Sequence, residues 1–309
     1  MLKSNISILG ATGHIGKNLS IYFGKDKNFE LFLFARDEKK LEKILTQYES
    51  KNNFSIRKYD EFNDSRYDAV INCVGLSNPA DIAVAEKEES LETTETFDVL
   101  TLEYLKNFPK TKLINFSSGA VYGGQFSSPI KYTTLIDKNF NYMNIKSNYA
   151  LATIRSEIKH RTLKNLNIID LRLFSFFSRF INLDAKFLMC EMISSIMQNK
   201  KFLTDETDIY RDYIHPKDLF SYVKKCICKD SLNDVFDLRS KKPIGKFELL
   251  NFLKEKYGLQ YEIDSGVKLS NPTGFKRNYY SESRKVESLG HKPEYSSMDT
   301  ILDELSFII

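Results

Sequence analysis

Three glycines near the start of the chain have the spacing of a turn that binds phosphate. Gly10, Gly13 and Gly16 follow the apolar segment Ile6 to Leu9 and precede an amphipathic segment. The first glycine permits a tight turn, the second lets backbone amides approach a pyrophosphate, and the third lets the helix pack close to the strand. The positive end of the helix then faces the anion. This arrangement predicts a site for a nicotinamide dinucleotide, with His14 as a loop residue rather than a catalyst.

The end of the second predicted strand indicates which dinucleotide is bound. A carboxylate about 20 residues after the glycine turn takes the ribose hydroxyls of NAD, whereas a guanidinium matches the 2′-phosphate of NADP. Here the strand ends Phe34-Ala35-Arg36-Asp37, with no acid at its tip and an arginine just beyond it. We therefore expect NADP(H) in preference to NAD(H). The alternative is that Arg36 is a solvated residue at a helix start and that Asp37 is the N-cap.

Three more segments carry polar residues at strand ends or in the second half of the chain. They are Asn72-Cys73-Val74-Gly75, Ser117-Ser118-Gly119-Ala120-Val121-Tyr122-Gly123 and Arg211-Asp212-Tyr213-Ile214-His215-Pro216-Lys217-Asp218-Leu219. With the glycine turn they resemble the extended short-chain dehydrogenase/reductase family of sugar-nucleotide epimerases, dehydratases and reductases. The resemblance covers nearly the whole chain. The cofactor-binding residues expected from the turn and the resemblance are Gly10, Thr12, Gly13, His14, Ile15, Gly16, Arg36, Asn72, Val74 and Gly75.

The resemblance also implies roles for residues at the substrate. Ser118 matches a serine or threonine that hydrogen-bonds the reacting sugar oxygen and stabilises charge there. Arg211 matches an arginine that holds the pyrophosphate of the nucleotide sugar, and Arg277, with Lys276, lies near a second phosphate contact. The alternatives are a structural serine at a strand end and a salt bridge between Arg211 and a neighbouring aspartate.

The catalytic pair of the family, Tyr-x-x-x-Lys on one helix face, has two candidate positions here. The lysine holds the nicotinamide ribose and lowers the pKa of the tyrosine from about 10, so that the phenol exchanges protons near neutrality. Tyr142 and Lys146 have the right residue types, but the asparagines and serine around them favour a loop and a helix N-cap. Tyr149 fits the context better, and its partner four residues later is then Thr153. We favour Tyr149 and Thr153 and keep Tyr142 and Lys146 as the alternative pair.

Three functions follow from these residues. The main hypothesis is an NADP(H)-dependent oxidoreductase that reduces a nucleotide-linked keto sugar with a tyrosine as proton donor, because Arg36 indicates the cofactor of net reduction. The alternative is a sugar-nucleotide epimerase or dehydratase, although no Asp-Glu pair follows Ser118 as dehydration would require. The third is of another class, a catalytically weakened NADP-binding sensor or scaffold, because Thr153 carries no charge to activate a tyrosine.

Short apolar runs alternate with amphipathic segments through the first half of the chain and would position these residues. The predicted strands are Ile6 to Leu9, Phe29 to Phe34, Phe54 to Arg57, Ala69 to Val74, Lys112 to Phe116 and Ile168 to Leu173. The helices predicted between them are Ile15 to Phe23, Glu38 to Tyr48, Ala83 to Leu105 and Asn148 to Leu163. The alternation predicts an α/β fold, a Rossmann-type doubly wound parallel sheet with helices on both faces.

Helical segments dominate the chain after Phe174. They are Ala185 to Gln198, Pro216 to Cys228, Lys246 to Tyr257 and Met298 to Leu305. We expect residues 1–176 to form the dinucleotide-binding domain, with 208–238 returning to it. Residues 177–309 would then form a smaller C-terminal α+β lobe that binds the substrate.

Composition narrows the class of protein further. The net charge is +4, and the basic residues form no long run, so binding to nucleic acid is not expected. No apolar run of about 18 residues predicts a membrane span. The four cysteines form no Cys-x-x-Cys pair, so neither a disulfide framework nor a metal site is expected, and a reducing cytoplasm fits. The resemblance implies a homodimer.

Overall fold

A computed structural model describes residues 3–48, 54–75, 89–124, 126–136, 148–264, 266 and 276–309, without the side chains of 89–91, 148 and 149. Its centre is a parallel sheet of seven strands. They are β1 (Ser4–Leu9), β2 (Phe29–Phe34), β3 (Phe54–Arg57), β4 (Ala69–Asn72), β5 (Lys112–Ser118), β6 (Asn167–Leu173) and β11 (Asp234–Asp237). Their order across the sheet is β3-β2-β1-β4-β5-β6-β11. The chain moves outward from β1 to β3 and then returns to β4, so the carboxyl ends of β1 and β4 border a ligand-binding crevice.

Helices cover both faces of this sheet. The helices of the first half are α1 (His14–Gly24), α2 (Glu38–Gln47), α3 (Glu89–Asn107) and α4 (Asn148–Thr162). Ile71 of β4 packs in the cluster that contains α1 and α2, whereas its neighbour Val70 packs in the cluster that contains α3. Ile114 and Leu113 of β5 divide between the two faces in the same way. Since both faces are buried, the strands are continuous apolar runs, and the predicted fold class is confirmed.

The second half of the chain adds helices, short strands and a second core. The helices are α5 (Leu188–Met197), α6 (Pro216–Cys228), α7 (Lys246–Tyr257) and α8 (Ser297–Leu305). The short strands are β7 (Ser175–Phe176), β8 (Phe202–Thr204), β9 (Tyr210–Arg211), β10 (Tyr213–Ile214), β12 (Ile244–Gly245), β13 (Tyr261–Ile263) and β14 (Asn278–Tyr279). Met192, Leu250, Leu253 and Ile301 lie in the second core. The division at residue 176 stays a prediction.

The carboxyl ends of two strands differ from the predicted ones, and both lie at the crevice. β4 ends at Asn72 rather than Val74, because the Asn72 carboxamide accepts the N–H of Val74 at 3.1 Å and turns the chain. β5 continues to Ser118 rather than ending at Phe116, since it pairs with β6 over its whole length. Residues 83–88 of the predicted third helix lie outside the described residues. In the described part of the chain, no helix is long and apolar enough to span a membrane.

Candidate active site

The glycine turn lies where the sheet order reverses. Gly10 has a φ of +75°, and a Cβ there would lie 3.0 Å from the backbone of Cys73, so only glycine fits against the start of the β4 loop. A Cβ at Gly16 would lie 2.2 Å from the carbonyl oxygen of Gly10. Gly13 is the N-cap of α1 and brings no side chain to the amides of the first turn. The turn therefore fits the pyrophosphate of a dinucleotide, which those amides would hold.

The side chain of His14 points away from this anion site. Its Nε2 is hydrogen-bonded to Ser178 Oγ at 2.7 Å, and Ser178 also accepts a hydrogen bond from the Asn18 carboxamide at 2.9 Å. Burial, and then the charge of Lys17, lower the pKa of His14 to about 3. The imidazole is neutral at physiological pH, so only the backbone N–H of His14 is available to a phosphate. The bond instead connects the glycine turn to the loop after β7.

Arg36 and Asp37 follow the end of β2 and precede α2. Asp37 accepts the N–H of Lys40 at 2.9 Å and is the N-cap of α2, so its carboxylate does not serve the strand tip. Arg36 is exposed beside it. Burial, and then the charge of Lys40, lower the pKa of Lys17 in α1. The N-cap interpretation of Asp37 is thus what the structure shows, and Arg36 remains available to a ligand.

A buried polar chain begins at the carboxyl end of β4. The Asn72 carboxamide donates to Asn115 at 3.0 Å, and Asn115 donates to Asp170 of β6 at 2.8 Å. His160 of α4 lies between Asp170, at 2.9 Å, and Asp98 of α3, at 2.7 Å. These hydrogen bonds link β4, β5 and β6 to one another and to α4 and α3. Val74 is half-buried and Gly75 is exposed at this edge, where a dinucleotide would lie.

Ser118 ends β5 at the same edge of the sheet. Its Oγ accepts the N–H of Ala120 at 3.1 Å and lies 3.3 Å from the hydroxyl of Tyr279. A short 3-10 helix, Gly119–Tyr122, follows. Gly119 cannot carry a side chain, because its Cβ would lie 2.4 Å from the ring of Phe174. The Ser118 hydroxyl thus accepts one backbone hydrogen bond and contacts one phenol, and its role at a substrate stays a prediction.

A buried ion-pair network holds the strand beneath Ser118. Ser117 Oγ donates to Glu157 of α4. Arg172 of β6 binds the same carboxylate through two nitrogens, at 2.9 and 2.5 Å, and donates to the Tyr122 hydroxyl at 2.7 Å. That hydroxyl donates in turn to Asp237 at 3.0 Å. Glu157 of α4 therefore positions β5.

The predicted catalytic pairs are described only in part. Tyr149 belongs to the first turn of α4, and Thr153 lies one turn later with a buried side chain. The side chain of Tyr149, and both Tyr142 and Lys146 of the alternative pair, lie outside the described residues. Neither pair is tested, and both stay predictions.

Arg211 points toward Tyr279 rather than toward an aspartate. Its Nη1 donates to the carbonyls of Tyr210 and Lys276, at 2.8 and 3.0 Å, and its guanidinium carbon lies 5.9 Å from the centroid of the Tyr279 ring. The neighbouring Asp212 instead accepts from Ser240. The salt-bridge alternative is therefore wrong for this arginine.

Lys276, and not Arg277, is the basic residue beside Arg211. Arg277 is exposed, whereas Lys276 is buried. Burial, and then the charge of Arg211, lower the pKa of Lys276 to about 7. The sequence indicated the region of a second cation but put Arg277 forward as the substrate-binding residue.

Tyr279 is the site residue that sequence reasoning missed. It meets Ser118 across 161 positions of the chain, and no spacing rule connects two residues so far apart. The one available signal was its place two residues after Arg277, the second residue of the basic pair Lys276 and Arg277.

Comparison with known proteins places the whole arrangement in one family. A model of the NAD dependent epimerase/dehydratase family matches residues 6–235. An uncharacterised protein of Methanocaldococcus jannaschii is 23% identical over 316 residues, which cover 95% of this chain and 93% of that protein.

Solved structures share the fold at low sequence identity. A UDP-N-acetylglucosamine 4-epimerase from Methanobrevibacter ruminantium, solved with UDP-N-acetylmuramic acid, has a TM-score of 0.82 at 17% identity, covering 100% of this chain and 99% of its own. A UDP-glucuronic acid 4-epimerase from Bacillus cereus, solved with UDP-glucuronic acid and NAD, has a TM-score of 0.80 at 17% identity, covering 98% of both chains. A dTDP-glucose 4,6-dehydratase from Bacillus anthracis, solved with NAD, has a TM-score of 0.76 at 18% identity, covering 99% and 96%. The family model spans most of the chain, and this protein belongs to the NAD dependent epimerase/dehydratase family.

Proposed function

We propose that this protein is an epimerase of a nucleotide-linked sugar that uses a nicotinamide dinucleotide without net oxidation or reduction. One observation carries the proposal: Tyr279 contacts both the Ser118 hydroxyl, at 3.3 Å, and the Arg211 guanidinium, whose carbon lies 5.9 Å from its ring centroid. The donor expected at the sugar oxygen and the cation expected at the pyrophosphate therefore face one space. Two of the solved structures that share this fold are UDP-sugar 4-epimerases.

Epimerisation fits the residues after Ser118 better than dehydration does. Elimination of water requires an acid and a base near the sugar, and the family's dehydratases place carboxylates in this segment. Gly119 and Ala120 occupy it here, and the Phe174 ring excludes any side chain at residue 119. The comparisons also favour an epimerase over the net reductase that Arg36 suggested.

Three residues of the chain would have separate roles in such a reaction. A bound nicotinamide would accept a hydride from the sugar carbon and return it to the opposite face. Ser118 would hold the sugar oxygen as charge develops on it. Arg211 would hold the pyrophosphate, because a guanidinium matches phosphate oxygens in geometry and charge. Tyr149 is the tyrosine that the family pattern assigns to proton exchange.

For the cofactor itself we propose NADP(H). Arg36 is exposed just beyond β2, and Asp37 is occupied as an N-cap. A 2′-phosphate would find a guanidinium there, whereas the Asp37 carboxylate, which could otherwise serve the ribose hydroxyls of NAD, already accepts a backbone N–H of α2. Two of the solved structures that share the fold contain NAD, and the proposed preference for NADP(H) rests on Arg36 and Asp37 of this chain.

The decisive experiment combines cofactor identification with product analysis. The purified protein is denatured, and any released dinucleotide is identified by mass spectrometry. UDP-glucose, UDP-N-acetylglucosamine and UDP-glucuronic acid are then each incubated with the protein and NADP⁺ or NAD⁺, and products are separated by chromatography. A new epimer with unchanged absorbance at 340 nm supports the proposal. Consumption of the nucleotide sugar without formation of its epimer overturns the proposal.

A matched pair of variants tests the proposed substrate site. Arg211→Met is expected to raise KM about 10- to 100-fold, as for the loss of a charged hydrogen bond. Arg277→Met removes an exposed cation one residue after Lys276 and is expected to leave KM unchanged. The opposite result would show that Arg277 binds the pyrophosphate, as the sequence alone suggested.

A net reductase is the second candidate, because Arg36 favours NADP(H), the cofactor of reductive reactions. A nucleotide-linked 4-keto sugar mixed with NADPH would then lose absorbance at 340 nm in proportion to product. An absorbance trace that stays flat while the sugar turns over excludes this candidate.

We also propose a cytoplasmic homodimer formed through α3 and α4. These helices pack against each other and leave Val99 and Ile158 exposed, at 45% and 54%. Light scattering after gel filtration should give twice the mass of 35.9 kDa. Ile158→Asp should return the protein to a monomer, and a mass of one chain for the wild type would contradict the proposal.

A further inference from the structure

Tyr279 is held rigidly against Ser118. It lies in β14, which pairs with β9 beside Arg211. Its ring meets Phe126 at 4.9 Å and Phe174 at 5.3 Å between centroids, and both contacts are edge-to-face. Both phenylalanines are buried. The hydroxyl is thereby fixed 3.3 Å from Ser118 Oγ, at the oxygen expected to hold the reacting sugar.

Two cations face the ring of Tyr279. The Lys276 ammonium nitrogen lies 4.3 Å from the ring centroid, and the Arg211 guanidinium carbon lies 5.9 Å from it. A cation over an aromatic face is attracted to the ring, and it is attracted more strongly to a phenolate. Burial lowers the pKa of Lys276 to about 7, and a phenolate beside it favours its charged form, so the two groups titrate as a pair. Burial lowers the pKa of Arg211, and the nearby Tyr213 and Tyr279 act in the opposite direction.

In the favoured catalytic pair, a threonine occupies the helix position of the family's lysine. Thr153 lies one turn after Tyr149 and brings no charge to that tyrosine. The family chemistry needs a phenol whose anion is stabilised by a nearby ammonium group. In the described part of the chain, Tyr279 and Lys276 have this relationship, and Ser118 lies beside the phenol.

We propose that Tyr279 and Lys276 replace the tyrosine-lysine pair of the helix. Tyr279 exchanges a proton with the sugar oxygen that Ser118 holds, and Lys276 stabilises the phenolate. The O–H bond of the sugar would break as the phenol O–H bond forms, and the carbonyl would form on the sugar carbon as its hydride passes to a bound nicotinamide dinucleotide. In the return step the hydride would come back to the opposite face of that carbonyl, and the Tyr279 phenol would return its proton to the oxygen. This inference rests on the proposed function and reassigns the proton exchange from Tyr149 to Tyr279.

A titration without substrate or cofactor tests the pair directly. Tyrosinate absorbs at 295 nm, and an ordinary tyrosine ionises near pH 10. Burial raises the pKa of other tyrosines, such as Tyr213 to about 12, so an early ionisation stands apart from them. We expect one tyrosine to ionise below the ordinary range in the wild type. That ionisation should be absent in Tyr279→Phe.

Matched variants identify the residues behind that signal. Tyr280→Phe removes a half-buried phenol from the adjacent position and should leave the early ionisation in place. Lys276→Met should move it to higher pH, whereas Lys276→Arg keeps a cation at the ring and should preserve it. An early ionisation that survives in Tyr279→Phe, or the lack of any in the wild type, overturns the proposal.

Kinetics then separate this inference from the proposed function. Tyr279→Phe is expected to lower kcat about 100-fold or more with little change in KM, and Tyr149→Phe and Tyr280→Phe less than about tenfold. Circular dichroism and cofactor binding check that each variant is folded. If the wild type epimerises its substrate and Tyr149→Phe alone abolishes turnover, this inference fails and the proposed function stands. If the wild type turns over no nucleotide sugar, the proposed function fails, and the absorbance titration still decides whether Tyr279 and Lys276 form the pair.

Discussion

The imidazole Nδ1 of His160 lies 2.9 Å from a carboxylate oxygen of Asp170, and both side chains are buried. Burial by itself lowers the pKa of this histidine. The carboxylates of Asp170 and, on the other ring nitrogen, Asp98 more than offset that effect and raise it from 6.5 to about 9. His160 is therefore a buried imidazolium between α3 and β6.

This proton links folding stability to pH. A pKa raised in the folded state contributes full stability below the unfolded value of 6.5 and loses it as the pH rises to about 9. We expect the free energy of unfolding in urea to fall over that window, by an amount on the order of 2–3 kcal/mol. His160→Gln should lower stability and flatten the pH dependence. Arg155→Ala, which breaks an exposed pair with Glu95 on the same helices, should change stability by less than about 1 kcal/mol. Equal slopes for wild type and His160→Gln would contradict this assignment.

Gly16→Ala should damage the dinucleotide site through the backbone. The added Cβ would lie 2.2 Å from the carbonyl oxygen of Gly10, so α1 must move away from the turn. We expect at least about a tenfold loss of dinucleotide affinity by calorimetry, together with a lower Tm. Gly124→Ala is the control, because nothing lies within 4 Å of its Cβ. Equal affinity in the two variants would show that the turn does not hold the cofactor.

Glu157→Gln should destabilise the strand beneath Ser118. The change weakens the bidentate pair with Arg172 and leaves a buried guanidinium short of charge. Loss of one partner of a buried ion pair costs about 3–5 kcal/mol of folding stability. The cost here should be smaller, because the glutamine amide still accepts a hydrogen bond from Arg172. The urea midpoint should therefore fall clearly. Lys201→Ala, which breaks an exposed pair with Glu262, should leave the midpoint nearly unchanged.

Arg36→Ala should change which dinucleotide binds best. Loss of a charged hydrogen bond to the 2′-phosphate is expected to weaken NADP(H) binding about 10- to 100-fold and to leave NAD(H) binding unchanged. Lys39→Ala, which removes an exposed cation from the first turn of α2, is the control. Fluorescence titration with NADPH and NADH measures both affinities. A wild type that already binds NADH more tightly would contradict the assignment of NADP(H).

Single substitutions of the three candidate tyrosines test whether the protein is instead a catalytically weakened sensor or scaffold. Single Tyr142→Phe, Tyr149→Phe and Tyr279→Phe variants are assayed for epimer formation by chromatography. We expect at least one of them to lose most turnover. Wild-type protein that binds the dinucleotide but converts no nucleotide sugar would favour the sensor or scaffold.

The dinucleotide-binding half of the fold was predictable because its signals are local. Strands buried on both faces are apolar runs, and Phe29–Phe34 and Phe54–Arg57 have the predicted bounds. The glycine spacing encodes a turn whose geometry needs no distant partner. Asp37 as an N-cap was likewise readable from its place before a helix.

The substrate side was less predictable because distant segments form it. Tyr279 reaches Ser118 through a two-residue strand, and such a strand has no periodicity to detect. Arg277 and Lys276 are adjacent in sequence, and only the fold decides which one is buried. The buried ion pair between Asp170 and His160 could not be predicted from the sequence either. The neighbours of Asp170 in β6 are mostly apolar, and nothing in that pattern indicates a buried carboxylate or its partner.

The position of β11 has a consequence for synthesis of the chain. β11 is the edge strand next to β6, yet it is made only after α5 and α6 have been completed. Until Asp234–Asp237 leaves the ribosome, β6 presents unpaired amides and carbonyls to solvent and to other nascent chains. The dinucleotide-binding sheet therefore closes late, and truncation at residue 176 would yield an aggregation-prone fragment rather than a stable domain.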